Sequence, residues 1–415
     1  MNFNIEKRIT YLRKKNNFSQ RQLSTKIFLT QSSITRHENG APLYKELCQE
    51  LSVGFGVPES YFMDAKKDPD VDLLLEGAFE KLLNINNKSL DELFSRNSYE
   101  LEISQEVALK LLQAVYYYKN NRYEDGDKLS ENFISVLIEN EEQVKGNATL
   151  LKCYYLYNYE LNFKNNKLDE CYRYCKLLSE IVTDNYQKGR CLVLISQTSF
   201  RRGFMSEALL SVTEAIKFIE TFDKGLLLSG AYVTYSSVLT NFKLYDEALE
   251  VLQKLENINK VNGYDDITAA LLQHRGIIFS RKKEYQKAVR NYEMAYSNAK
   301  YPHIKIKILI SLISCHLKTR NILEATKYLE IMNNQNLRKH EKMISTSLKC
   351  EISLYSDDIK THKMLLKPVL KYFEENNYLA DLKHIYSYLA NYYHEKNLYK
   401  QASTYFTKKE RLENE

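Results

Sequence analysis

Apolar residues recur every three or four positions along most of the chain, and the punctuation between them is that of helices. Near the amino end, Ser19 and Gln22 form an S-x-x-Q capping box, which predicts a helix from about Gln20 with Leu23 and Ile27 one turn apart on its inner face. Thr30 caps the next predicted helix, Gln31 to about Asn39, which carries a single strongly apolar residue, Ile34, before Asn39-Gly40 stops it. A helix this short and this polar is not stable alone, so its neighbours must hold it while its other edge serves another purpose. That edge carries Gln31, Ser32, Ser33, Thr35 and Arg36. Amides read adenine bidentately and arginine reads guanine or grips phosphate, so the edge suits the major groove of double-stranded DNA.

Beyond a charged, apolar-poor stretch at 64–72, interrupted by Pro69, the pattern becomes repetitive. A short phrase ending in a small residue returns at Gly126, Cys171, Ala208, Ala248, Ala288, Ala325 and Ala402. The spacing is 37 to 45 residues apart from the last interval, which is about two periods and implies a degenerate copy around Leu354 to Lys371. In the best copy, Leu272, Gly276 and Phe279 share one helix and Ala288, Tyr292 and Ala295 the next, with a turn at 282–285. No copy can bury its apolar face alone, so eight stacked copies predict a solenoid. The fold class expected is all-α: a small helical head at 1–66, a linker with connecting helices at 67–105 and a repeat array at 106–415.

Charge divides the chain the same way. Lys7, Arg8, Arg13, Lys14, Lys15, Arg21, Lys26 and Arg36 face only Glu6 and Glu38 in the first forty residues, which accounts for the whole net charge of +6. A basic excess so confined is a local anion-binding surface. The chain of 415 residues is 44% hydrophobic with no long apolar run, has twelve glycines and five prolines, and shows no signal-peptide pattern at its start. Seven scattered cysteines fit a reducing compartment, and together these features point to a cytoplasmic protein away from membranes. The thirty-three tyrosines mostly fall at helix-packing positions.

Catalytic and metal chemistry find little footing. Cys171 and Cys175 lie one helical turn apart but lack a nearby histidine or second pair to complete a tetrahedral metal site, and Cys171 occupies the repeat's small position. His384 and His394 are ten residues apart, nearly opposite in register. Phosphate loops, dinucleotide fingerprints and nucleophile elbows are absent from the sequence, so the expectation is a binder with no metal or cofactor, not an enzyme.

The stretch FSQRQLSTKIFLTQSSITRHENG resembles the helix-turn-helix of the Xre and phage-repressor type, over about Ile5 to Met63. The resemblance implies a five-helix, lambda-repressor-like domain: Ile5, Ile9 and Leu12 on a first helix, Leu47, Leu51 and Val53 on a fourth, and VPESYF as a short fifth. It implies that Gln20 caps a helix against a DNA phosphate, that Gln31, Ser32 and Ser33 face base edges, that Arg36 reaches a base or phosphate, and that Arg13 and Glu38 form an internal ion pair. Two departures stand out: Phe28 where the family usually has glycine, and Ser24 where it has alanine. A bulky residue at positive φ costs roughly 1 to 2 kcal/mol. His37 also stands where a half-buried large side chain is usual.

The repeats resemble tetratricopeptide repeats, which stack as a right-handed superhelix around a concave wall. Transferring that frame places Glu160, Arg190, Gln197, Arg201, Ser237, Asn241, Gln273, Arg281, Lys318, Tyr388 and Asn391 inward. Of these, Gln197, Arg201, Ser237, Asn241, Gln273, Tyr388 and Asn391 are the candidate peptide contacts, because amides can pair with both the N–H and the C=O of an extended backbone. An Xre-type head followed by such an array resembles the RRNPP group of peptide-pheromone regulators, closest in layout to NprR-like and PlcR-like members, with the arbitrium receptors of phages sharing it. The resemblance implies a cytoplasmic homodimer or larger homo-oligomer that binds operator DNA and is switched by a short linear signalling peptide. The alternatives are a Rap-like protein that binds and inhibits a response regulator, and a repressor or scaffold with no small ligand.

Overall fold

The computed structural model describes residues 3–63, 65–83, 90–95, 98–220, 226–262 and 265–414, and among them every regular element is a helix or helical turn. They form two compact units, Met1–Thr234 and Tyr235–Glu415. The division falls inside the repeat array.

The head begins with α1 (Lys7–Lys15), α2 (Gln20–Lys26), α3 (Gln31–Glu38) and α4 (Lys45–Phe55), followed by a 3-10 turn at Glu59–Phe62. The Ser19–Gln22 capping box is present, and Thr30 accepts from the Ser33 N–H at 3.2 Å. Ile9, Leu12, Leu23, Ile27, Ile34, Leu47 and Leu51 make its core. Val53 lies on α4 as expected but is 85% exposed, because its register carries it off the stripe formed by Leu47 and Leu51.

Pro69 opens a helix. α5 (Pro69–Leu83) starts at the proline because the first turn needs no donor there, and the Asp68 carboxylate accepts from the Asp70 N–H at 2.9 Å. Leu75, Ala78, Phe79, Leu82 and Leu83 are buried, so this stretch belongs to the core and does not behave as a tether. A short α6 (Asp91–Ser95) follows.

Among the described residues the array consists of eight helical hairpins. They are α7 (Ile103–Lys119) with α8 (Tyr123–Leu129), which runs through a π turn into α9 (Ser135–Leu137); α10 (Ala148–Lys164) with α11 (Leu168–Ile181); α12 (Asn185–Arg202) with α13 (Met205–Ile219); and α14 (Leu226–Asn241) with α15 (Tyr245–Asn262). Next come α16 (Asp265–Arg281) with α17 (Tyr285–Asn298), α18 (Pro302–Lys318) with α19 (Ile322–Asn333), α20 (Lys339–Tyr355) with α21 (Ile359–Glu375), and α22 (Leu379–Glu395) with α23 (Tyr399–Asn414). Each hairpin turns on one residue in the left-handed region: Asn121, Asn166, Gly203, Lys243, Lys283, Arg320, Asp357 and Asn397. The following N–H reaches back to a carbonyl in the last turn of the preceding helix, as from Arg122 to Tyr117 and from Leu398 to Tyr393, both 2.8 Å.

Five residues after each such turn lies the position on which the two helices cross, and in seven of the eight it is a small residue. A Cβ on Gly276 would come within 2.5 Å of the Tyr292 ring, so that crossing requires glycine. The degenerate copy lies where the period places it, with its turn at Asp357 and His362 in the small position. His362 is buried, and its Nδ1 lies 3.0 Å from the Cys350 carbonyl oxygen and 3.2 Å from the Cys350 Sγ. The small cysteine opposite makes room for the ring, which is why a search for a small residue misses this copy.

Candidate functional site

The α2–α3 edge is held from behind. Ile34, His37 and Glu38 point into the head, and His37 Nδ1 lies 3.0 Å from the Ala41 carbonyl oxygen. Arg13 on α1 grips Glu38 with two bonds, Nε to Oε1 at 2.6 Å and Nη2 to Oε2 at 3.1 Å. Gln20 Nε2 donates to the same Oε2 at 2.7 Å, and the Thr35 hydroxyl donates to Gln20 Oε1 at 3.1 Å. The Gln20 carboxamide is therefore engaged inside the head instead of reaching outward for a phosphate. Thr35 is half-buried with it.

What remains on the outside is Gln31, Ser32 and Arg36, all exposed, with Ser33 half-buried at the start of the helix. Phe28 occupies the turn with φ +55° and is 95% exposed, so the strained residue anticipated there is accommodated by pushing its ring into solvent.

A second set of contacts, missed at the sequence level, joins the head to the first hairpin. Arg8 is 1% exposed, and its donors go to Glu106 Oε2 at 2.8 Å, to the Tyr61 carbonyl oxygen at 2.7 Å and to the Leu101 carbonyl oxygen at 3.0 Å. The Tyr61 hydroxyl donates to the remaining Glu106 oxygen at 2.7 Å, and the guanidinium stacks 4.3 Å from the Tyr61 ring centre. Burial raises the Glu106 pKa, with Arg8 and the Tyr61 hydrogen bond pulling it back in part. Tyr11 packs edge-on against Phe133 and Lys7 pairs with Glu139 at 3.1 Å along the same seam. Three of the eight basic residues counted in the head, Lys7, Arg8 and Arg13, are thus paired with carboxylates. The available signal was a charge of each sign set into an apolar stripe: Arg8 beside Ile5, Ile9 and Leu12, and Glu106 beside Val107.

The inward positions fall into registers counted back from each hairpin's small residue. Glu160, Gln197, Ser237 and Asn391 share one position, and Arg201, Asn241, Arg281 and Lys318 share another one turn on. Within the first unit, Gln197 donates to the Thr234 hydroxyl at 3.1 Å, while Arg201 stacks 4.4 Å from the Phe163 ring and donates to Asn166 Oδ1 at 3.0 Å. Glu160, Arg190 and Gln197 come together around a recess of about 260 Å³ that Lys119, Tyr159 and Phe163 also line.

Within the second unit, Ser237 Oγ lies 3.2 Å from His274 Nδ1, Gln273 is half-buried, and Asn241 and Asn391 are exposed. Tyr388 does not belong to the set. It is 4% exposed and its hydroxyl donates to the Cys350 Sγ at 3.6 Å. It stands one residue off the register of Gln273, and one residue on a helix is a rotation of about 100°, enough to turn the ring into the hairpin.

No family model matches the chain. Response regulator aspartate phosphatase I of Bacillus subtilis (strain 168) is 23% identical over 322 residues, covering 74% of this chain and 77% of the relative. Among solved structures, a Rap protein complexed with competence and sporulation factor aligns with a TM-score of 0.69 at 14% identity, covering 83% of this chain and 98% of that one. The apo form of the quorum sensor NprR from B. thuringiensis aligns with a TM-score of 0.60 at 16% identity, over the same shares. The chain has the all-helical repeat fold of the Rap and NprR proteins, and its resemblance to the RRNPP group holds at the level of that fold.

Proposed function

We propose that the chain is a cytoplasmic, peptide-switched transcriptional regulator. Its head is a helix-turn-helix that lays α3 in the major groove, with Gln31 and Ser32 toward base edges and Arg36 toward a base or phosphate. The array takes a short linear peptide through the amide and basic registers of its first helices. The observation that carries the reading is the two-sided character of α3: one side is pinned by Ile34, His37 and the Glu38 carboxylate, and the other presents Gln31, Ser32 and Arg36 to solvent. The peptide half draws support from the fold shared with a Rap protein complexed with competence and sporulation factor.

Two heads related by a dimer axis meet half-sites one helical turn apart, or a multiple of it. Peptide changes the array, and the buried Arg8–Glu106 contact carries the change to α1. A tenfold effect on DNA affinity needs only about 1.4 kcal/mol of coupling.

A second reading, in which the array binds a response regulator, is favoured by the resemblance to response regulator aspartate phosphatase I. Selection of random duplex DNA by the full-length protein separates the two. The first reading predicts enrichment of a two-half-site motif that Arg36→Ala loses. Failure of any motif to enrich, with capture of a response regulator unaffected by Arg36→Ala, overturns it in favour of the second.

A further inference from the structure

Arg190, on α12, is 4% exposed and lines the recess of the first unit. Its Nε donates to the Leu83 carbonyl oxygen at 2.6 Å, but its Nη1, buried as well, has no hydrogen-bond partner among the described residues. Arginine cannot shed its proton to escape this condition. A buried polar group left unpaired calls for a reason, and a buried charge more so.

The charges around it sharpen the point. Lys119 and Lys164 also line the recess, and each has a carboxylate of its own: Glu160 lies 3.1 Å from Lys119 and Asp127 lies 2.5 Å from Lys164. Among the described residues three cations face two carboxylates, and the unanswered positive charge belongs to Arg190. Burial lowers the pKa of both Lys119 and Arg190, in keeping with cations held in a poorly solvated place. The aromatic rings of Tyr159 and Phe163 line the same space, and Gln197 adds an amide. The recess is smaller than the roughly 300–1,000 Å³ of drug-sized sites, so it suits a residue or two at the end or bend of a chain.

We infer that Arg190 is a socket for one carboxylate of the peptide, received by the free side of its guanidinium. The inference rests on the peptide reading for the identity of the ligand. A monoanion balances the recess, whereas a phosphate dianion would leave it with an excess of negative charge. The planar guanidinium fork matches a carboxylate, and the surrounding low polarity strengthens the contact.

The test uses the full-length protein and two probes that differ only in charge, N-acetylglycine and N-acetylglycinamide. At saturating concentration the acid is expected to raise the melting temperature by about 2–4 °C, the amide to leave it unchanged, and Arg190→Met to abolish the difference. Equal effects of acid and amide on the wild-type protein, or no effect of either, overturn the socket, and this comparison holds whether or not the variant folds. A residue with a purely structural role predicts that Arg190→Met melts well below wild type and that the probes are indistinguishable.

A randomised pool of short peptides, offered once as free acids and once as C-terminal amides, identifies the source of the carboxylate. Recovery of acids alone assigns the chain terminus, and recovery of amides bearing Asp or Glu at one position assigns a side chain. Recovery from neither pool, with N-acetylglycine still binding, removes the peptide reading and leaves the socket standing. Peptides recovered equally by wild type and Arg190→Met remove the socket and leave the peptide reading.

Discussion

Among the described residues of the first unit two arginines lie buried, Arg8 and Arg190, and their surroundings differ. Arg8 meets a carboxylate, two carbonyl oxygens and an aromatic face, and the carboxylate it meets is completed by a tyrosine hydroxyl. Arg190 meets one carbonyl oxygen and leaves a terminal nitrogen without a partner among the described residues. The same side chain is a joint in one place and an open donor in the other, and the number of donors answered separates the two roles.

The largest expected effect breaks the joint. Arg8→Met leaves Glu106 buried and unpaired and should cost about 3–5 kcal/mol in urea unfolding, whereas Arg8→Met combined with Glu106→Met should recover most of it. An unchanged midpoint in the single variant would show that the network contributes nothing. A smaller effect is expected on the reading edge: Gln31→Ala or Arg36→Ala should each cost about 1–3 kcal/mol at a selected DNA site and leave the unfolding curve within about 0.5 kcal/mol of wild type. Equal losses on random DNA for Gln31→Ala would take base readout away from that residue.

Arg190→Met should behave oppositely to Arg8→Met. Removing a charge that has no counterion should leave stability unchanged or raise it by up to about 1 kcal/mol, measured in the same urea titration. A loss comparable with that of Arg8→Met would erase the contrast between the two arginines.

A pH-dependent effect concerns a third basic group, the half-buried His274, which meets its poorly solvated setting by losing its proton. Burial and the nearby Lys307 push its pKa down to about 4. The unfolded chain therefore takes up the proton first: this contribution to stability is complete above about pH 6.5 and declines as pH falls toward 4. His274→Asn should flatten that part of the stability-against-pH curve, and an unaltered slope would assign it elsewhere.

What the sequence made legible follows interaction range. The cap at Ser19 and Gln22, the polar α3 and the period of the hairpins depend on residues within a few turns of one another. The Arg8–Glu106 joint spans 98 positions and depends on folding, although a charge of each sign on an apolar stripe marked both ends. Gln20 and Thr35 were placed on the correct helices, but their hydrogen bonds turn them inward toward Glu38 and each other. Tyr388 shows how little error a helix face tolerates, since one residue of slip exchanged a surface position for the hairpin interior. His362 shows the complement: a ring can occupy the small position when Cys350 opposite is small enough.

The most direct measurement is the affinity of full-length protein for its selected DNA site, taken with and without a peptide recovered from the pool. A change of about tenfold or more in wild type, in either direction, that shrinks toward none in Arg190→Met is the predicted result. Identical affinities with the array empty and saturated would contradict the claim that ligand in the repeats governs the reading helix.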